Sequence, residues 1–400
     1  MTDKSPKATV QPGKTRNRKT AVLVLLVLAL GCLELHHLYN RMADENIGKD
    51  FIAYWPSGRL LLAGENPYAI EKVYAFQKSL GRTIDYPLLM YNPPWTLAFT
   101  LPFCLQNYRL SKFLWLLFNL ALVIACADWT WRIYGGAHDK RIAALLIAFT
   151  FVPVLFVLNM GQTAPLILLG VVFFCYCAKH NYWILAGWAL APVAVKPHLL
   201  SLFWLALLLW ILDRGQWRTA LSAILTGSIV TILPLSLNAS IFSHYIQALR
   251  QCPPGMWQTA TIGTMLRMYY GPDKQWLQFL PLVLGTLWFL AYWRKHKKTW
   301  EWPHQLPILL SVSLMIAPHA WTMDYAVLLP AILLTAIRLM QSRRENLMKC
   351  AVIVYLAING VALSLHFLHI DDCFSFWMLP ALLVSYLILN RGLSKNLINA

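Results

Sequence analysis

Residues 41–94 read RMADENIGKDFIAYWPSGRLLLAGENPYAIEKVYAFQKSLGRTIDYPLLMYNPP, a long polar connection set between apolar runs. Connections in compact helical domains are mostly a few residues long, and one of this length is either functional or disordered. Its Tyr, Trp, Phe and Leu content argues for order. It holds Asp44, Glu45, Asp50, Glu65, Glu71 and Asp85, a large share of the chain's 17 acidic residues. Scarce carboxylates and aromatics gathered in one loop beside a membrane mark a candidate reaction site.

The 400-residue chain is 58% hydrophobic and only 13% charged, with a mean hydropathy of +0.52. Soluble domains carry roughly a quarter charged residues. Apolar runs recur from residue 20 to residue 390, which predicts an all-α polytopic membrane protein. A β-barrel is excluded, because the runs are continuous rather than alternating. A basic tail, residues 1–19, precedes a single membrane domain over residues 20–400. The tail has no small-residue cleavage signal, so the first apolar run reads as a retained span. The net charge of +17 does not imply nucleic acid. Its Lys and Arg sit in short loops between spans, the positive-inside pattern.

Candidate spans lie at about residues 20–39, 110–131, 142–158, 164–178, 181–196, 197–213, 219–236, 275–293, 304–318, 325–338, 347–366 and 374–390, about 12 in all. Pro192, Pro197, Pro281, Pro307 and Pro330 predict kinked helices. The segment Trp95–Leu105 is apolar but too short to cross, and reads as re-entrant. Both termini are then cytoplasmic, since Lys and Arg crowd the inner loops and are sparse in the outer ones apart from residues 41–112. The outer face collects residues 41–94, 159–164, 196–198, 238–273, 317–325 and 369–373, with most of the unusual polar residues.

Within this set, Asp50 precedes Phe51 to Leu62, which reads as a short amphipathic helix on the membrane surface. Asp50 is then either its N-cap or a general base whose pKa is raised at a dry boundary. Asp44 and Glu45 are rival acids. Lys196, before Pro197, either snorkels to the interface or pairs with a phosphate as a point charge. His319 is a loop histidine or a hydrogen-bond donor to phosphate or an acceptor hydroxyl. Gln162 binds a sugar or caps a helix. Arg59 and Arg267 are further cationic candidates, and the His36-His37 pair has no metal partner nearby. Asn238-Ala-Ser240 matches a glycosylation sequon. Of the eight cysteines, most lie in apolar runs and none has metal-site spacing. Cys252 and Cys373 fall in outer loops and are a candidate disulfide.

The order of Asp50, Gly64-Glu65-Asn66-Pro67-Tyr68, Tyr91-Asn92-Pro93-Pro94, Gly161-Gln162, Lys196-Pro197 and Pro318-His319-Ala320-Trp321 resembles glycosyltransferase family 87. Members are GT-C membrane enzymes that use a polyprenyl-phosphate sugar, typically mannose. The resemblance runs from about residue 20 to residue 335, and Asp50 matches the family's catalytic Asp early in the first outer loop. It implies an inverting glycosyltransferase of a bacterial inner membrane with its site facing outward. Asp50 would be the base, with Lys196, His319, Gln162, Tyr91, Asn92, Tyr68 and Arg59 binding donor phosphate or substrate. The expected partners are a polyprenyl-phosphate sugar donor, a lipid or glycan acceptor and membrane lipids. No cofactor is implied beyond the lipid-linked donor, and a divalent-metal requirement stays open. Asn92 and Ala164 depart from the family pattern, where an aromatic and an Asn are commoner. The alternative is a transporter or lipid flippase, whose mark would be internal repeats with paired broken helices at the midplane. No clear repeat is present.

Overall fold

The computed structural model describes residues 32–44, 47–254, 257–342 and 344–394. The basic tail, the first part of the expected first span and Glu45 lie outside them. The secondary structure of the described residues is helical, and no strand occurs among them. Long runs of Leu, Ile, Val and Phe take this form because only a helix satisfies its own backbone groups in lipid.

Among the described residues, seven helical stretches are long and apolar enough to cross a membrane: residues 108–133, 197–214, 217–237, 275–299, 322–342, 345–367 and 372–390. An eighth is counted if the pair His138–Thr150 and Val152–Met160, bent by 63°, forms one span. The expected count of about 12 is not confirmed among the described residues, and most of the expected 20–39 span lies outside them. The other expected segments, 164–178, 181–196 and 304–318, are short helices. Ala164–Lys179 has 16 residues, about 24 Å of rise against a ~30 Å hydrocarbon core. The expected 181–196 span is split into Trp183–Trp188 and Leu190–Val193.

The break in the 142–160 stretch was not anticipated. Pro153 stands in the first turn of Val152–Met160 and cannot continue the preceding helix. The interrupted ladder is repaired from helix Glu345–Phe367: Asn359 Oδ1 accepts from Val152 N at 2.8 Å, and Tyr355 Oη donates to Ile147 O at 3.0 Å. Of the five prolines expected to kink helices, Pro281 occupies a first turn, where its missing N–H costs nothing. Pro197 opens a 3₁₀ turn. Pro307 does lie inside Trp302–Ile316, and Ser311 Oγ caps its carbonyl at 2.8 Å.

Two further expectations, the surface helix and the Cys252–Cys373 disulfide, are corrected. Phe51–Leu62 is not a surface helix: every residue but Arg59 and Leu62 is buried. It packs against Ile70–Ser79, Leu97–Cys104 and Tyr108–Ile133, because Phe51, Tyr54, Trp55 and Leu61 make one face apolar while Ile52, Pro56 and Leu60 make the opposite face apolar too. Trp95–Leu105 is, as expected, too short to cross: it holds the short turn Pro94–Thr96 and the eight-residue helix Leu97–Cys104. The Cys252–Cys373 disulfide is not formed, and both thiols are free.

Residues 160–162, 195–198, 319–324 and 366–375 all return to one end, where they line a common cavity. The opposite end is basic. There Arg141 pairs with Asp128, Lys179 donates to Ile133 O, and Arg214 bonds Lys297 O and Lys298 O at 3.1 and 3.0 Å.

Close helix approach depends on small residues. A Cβ on Gly187 would meet Ser222 Oγ at 1.9 Å and Thr219 O at 2.5 Å, within the contact of Trp183–Trp188 with Trp217–Leu237. Gly187→Ala should therefore destabilise by about 1–3 kcal/mol. Gly227→Ala, in the same long helix but with open space around its Cβ, should be neutral or stabilising by up to about 1 kcal/mol. Thermal melts of the two variants in detergent check the opposite signs.

Candidate active site

Two glycines place Asp50. Val152–Met160 ends at Gly161, which adopts φ +71°, a left-handed cap natural to glycine. A Cβ there would sit 3.2 Å from Gly48 Cα, so Gly48 and Gly161 let two backbones touch. The contact is fastened by Gly48 N to Asn159 O at 2.6 Å and Asp50 N to Met160 O at 2.9 Å. Trp115 Nε1 donates to Gly161 O at 2.7 Å and backs the junction. Asp50 is thereby set beside Gln162, whose Nε2 donates to Asp50 Oδ2 at 2.8 Å. Asp50 makes no side-chain cap to its helix, so the capping role is not the one its carboxylate performs. Burial raises the Asp50 pKa above the ordinary carboxylate value, while the Gln162 hydrogen bond and the Lys196 charge pull it down.

The cavity beside Asp50 measures about 730 Å³. Lys196 reaches it from the break between Leu190–Val193 and Pro197–Leu200, where Pro197 lacks the N–H that would continue a helix. Its Nζ donates to Asp324 Oδ1 at 2.7 Å, in a pair whose side chains are 10% and 2% exposed. Asp324 Oδ2 accepts from Trp321 N at 3.0 Å, so both carboxylate oxygens are engaged. A buried ammonium needs such a partner, and snorkelling does not describe it.

His319 lines the cavity with its ring edge-on to Trp257 at 5.9 Å. Its Nδ1 is buried without a partner. Burial, and then the charge of Arg267, depress its pKa to about 4. The ring is neutral at neutral pH and offers one N–H donor rather than a charge.

Tyr91 and Asn92 line the same cavity. The Tyr91 ring stands against Trp257 at 4.5 Å, and its carbonyl accepts from Tyr245 Oη at 3.2 Å. Asn92 Nδ2 donates to Val195 O at 3.1 Å, which ties this loop to the residue before Lys196. Tyr68 lies behind the wall, with its hydroxyl on Asn92 O at 3.2 Å. The Gly-Glu-Asn-Pro-Tyr motif therefore acts as scaffolding: Asn66 Oδ1 accepts from Tyr68 N at 2.9 Å in an Asx turn. Asn238 braces the same loop, donating to Glu65 O at 3.0 Å. Arg59 is not brought to the cavity; it is exposed, and its guanidinium lies 5.7 Å from the Trp55 ring. Arg267 is buried, with Nη2 donating to Trp257 O at 2.6 Å.

Sequence reasoning missed Tyr54, Asp324 and Trp257 as site residues. Tyr54 follows Asp50 by four positions, the spacing that puts two side chains on one helical face. Its hydroxyl donates to Gln162 Oε1 at 2.9 Å.

An all-helical membrane protein with a carboxylate, an ion-paired lysine and a neutral histidine around one cavity is the class that fold and site define. The profile of glycosyltransferase family 87 matches residues 90–364, and the chain belongs to that family. No curated protein and no solved structure matches it. Membership supports a membrane glycosyltransferase over a transporter. The matched segment begins after Asp50, so the standing of that residue rests on the geometry.

Proposed function

We propose that the chain is an inverting glycosyltransferase of GT-C-like architecture that moves a hexose, mannose by the resemblance above, from a polyprenyl-phosphate donor to a hydroxyl of a lipid or glycan acceptor. The observation that carries this reading is that Asp50 leaves its helix uncapped and turns its carboxyl, held by Gln162, to the cavity that Lys196 also lines. Asp50 takes the proton from the acceptor hydroxyl. The freed oxygen attacks the anomeric carbon, and the bond from that carbon to the phosphate oxygen breaks. Polyprenyl phosphate leaves. Lys196 meets its charge as a preorganised cation, and the neutral His319 adds a hydrogen bond. Phe156, Met160, Leu88, Val195 and Met323 give the cavity apolar wall as well, which suits an amphiphilic donor.

The basic end opposite the cavity supports an outward-facing site in a bacterial inner membrane, because positive loops stay cytoplasmic. The test is to incubate purified protein with a panel of polyprenyl-phosphate sugars and assay released polyprenyl phosphate. Release from one sugar, with mannose foremost, is expected. Release from none of them, with a nucleotide sugar accepted instead, would overturn the donor class.

A further inference from the structure

We propose that Tyr54 is a positioning residue whose hydroxyl fixes the amide orientation of Gln162, so that Gln162 donates to Asp50 and leaves the other carboxylate oxygen to the acceptor. The inference rests on the reading of Asp50 as the base. Tyr54 is 2% exposed and comes from the helix that Asp50 precedes. Its hydroxyl stands 2.9 Å from Gln162 Oε1 and 3.3 Å from Asn92 Oδ1. A phenol has one proton to give, and the Gln162 and Asn92 oxygens can only accept it, whereas the Thr163 hydroxyl beside it can donate to the phenol oxygen; Tyr54 is therefore the donor and the nearer Gln162 receives its proton. The opposite end of the Gln162 amide is then its NH₂, and that end faces Asp50 Oδ2 at 2.8 Å. Thr163 N, at 3.4 Å from Oε1, favours the same orientation.

The chain of bonds continues to the cation. Asn92 holds Val195 O at 3.1 Å, and the next residue, Lys196, is held by Asp324. Tyr54 thus joins the base and the lysine through side chains distant in sequence. It does not touch the cavity's reacting groups itself. Removing its hydroxyl leaves two buried amide oxygens facing each other across the vacated place. Gln162 relieves this by turning its NH₂ toward Asn92 Oδ1, which swings Oε1 onto the Asp50 carboxylate. A carbonyl against a carboxylate disfavours the ionised form, and the base then titrates at higher pH.

Other groups also act on Asp50. Lys196 and Arg82 favour its charge and Asp324 opposes it. Its chain neighbour Lys49 lines the cavity, as do Tyr86 and Tyr91 from the loop that follows Ile70–Ser79. His198 faces it from the Pro197–Leu200 turn, and Tyr245 from Ile241–Gln251. His319 comes from the 317–321 loop, and His366 and Asp372 from the end of Glu345–Phe367 and the turn after it. None of these titratable groups hydrogen-bonds the Tyr54 hydroxyl, and Gln162→Met leaves the Tyr54 hydroxyl and the Asn92 amide in place, so a shift shared by the two variants reports the Gln162 amide.

The experiment is an infrared titration of the Asp50 carboxyl in the purified full-length protein, with Asp50→Asn as the blank. It needs no substrate. Tyr54→Phe and Gln162→Met should each raise the midpoint by about one pH unit, and the double variant should raise it no further than either alone. Replacing Tyr54 by 3-fluorotyrosine keeps the hydroxyl and strengthens it as a donor, so the midpoint should fall; this arm serves if Tyr54→Phe does not fold. An unmoved midpoint in the folded variants, or additive shifts, would overturn the proposal. Turnover measured in parallel separates it from the reading beneath it. If Asp50→Asn keeps wild-type turnover the base assignment fails, whatever the titration shows.

Discussion

Asp50→Asn is expected to lower turnover by about 10²–10⁴-fold, the range that general-base catalysis contributes, while donor binding stays within about twofold. The substitution is close to a pure test of the proton acceptor. Asp50 makes no cap bond to helix Phe51–Leu62, so there is no capping energy to lose. An Asn at this position can still present its carbonyl oxygen to Gln162 Nε2, which now bonds Asp50 Oδ2. Size and this hydrogen bond are kept, and basicity alone goes. The wild-type rate should also depend on pH with a definite sign. Burial raises the Asp50 pKa above its ordinary value, and the base must be ionised to act. Activity should therefore be full at higher pH and decline as pH falls through that raised value, earlier than for an exposed carboxylate. Asp50→Asn should lose this limb. Asp44→Asn is the matched control, an exposed acid whose backbone carbonyl accepts from Lys112 Nζ at 2.9 Å, and it should stay near wild type. Near wild-type turnover in a folded Asp50→Asn protein, or a more damaging Asp44→Asn, would remove Asp50 from the chemistry.

Much of this arrangement is legible in the sequence, for reasons that differ by residue. Helix Tyr108–Ile133 matches the expected 110–131 segment, and Glu345–Phe367 matches 347–366, because unbroken apolar runs have one stable form in lipid. Lys196 and His319 stand out since ionisable groups near apolar runs are costly, and the structure puts both on one cavity. What fails is whatever depends on a distant partner. Phe51–Leu62 reads as a surface helix by local pattern, and only Leu97–Cys104 and Tyr108–Ile133 folding against it explain its burial. Asp324 appears as one polar residue in an aromatic turn until Lys196, 128 positions away, is found on it. The break at Phe151 follows from Pro153, but its tolerance needs Asn359, over 200 positions on. Arg59 misleads in the opposite direction. It lies in the right helix, but its face turns to solvent beside Trp55.

The Lys196–Asp324 pair should separate stability from chemistry. Its side chains are 10% and 2% exposed, so each charge depends on the other for solvation. Asp324→Leu alone leaves a buried ammonium without its carboxylate and should cost about 3–5 kcal/mol, seen as a large fall in melting temperature in detergent. It also frees Trp321 N, which Asp324 Oδ2 now accepts at 3.0 Å, so part of that loss comes from the loop carrying His319. Lys196→Met alone strands the carboxylate in the same way. The double variant Lys196→Met with Asp324→Leu removes both charges, and well-packed apolar replacements of buried pairs are often neutral or better. It should recover most of the lost melting temperature. If the pair were only structural, the recovered protein would also recover turnover. With Lys196 as the cation that meets the leaving phosphate, turnover stays low and the donor KM stays high in the stable double variant, because a thioether carries no charge. Lys196→Arg keeps a cation at the site and should retain partial activity, less than wild type since a guanidinium has a different shape from an ammonium. Measuring melting temperature and donor KM on these four variants decides the matter. A stable double variant with wild-type donor KM would make the pair a strut in the cavity wall and leave the phosphate to His319 and the backbone around it.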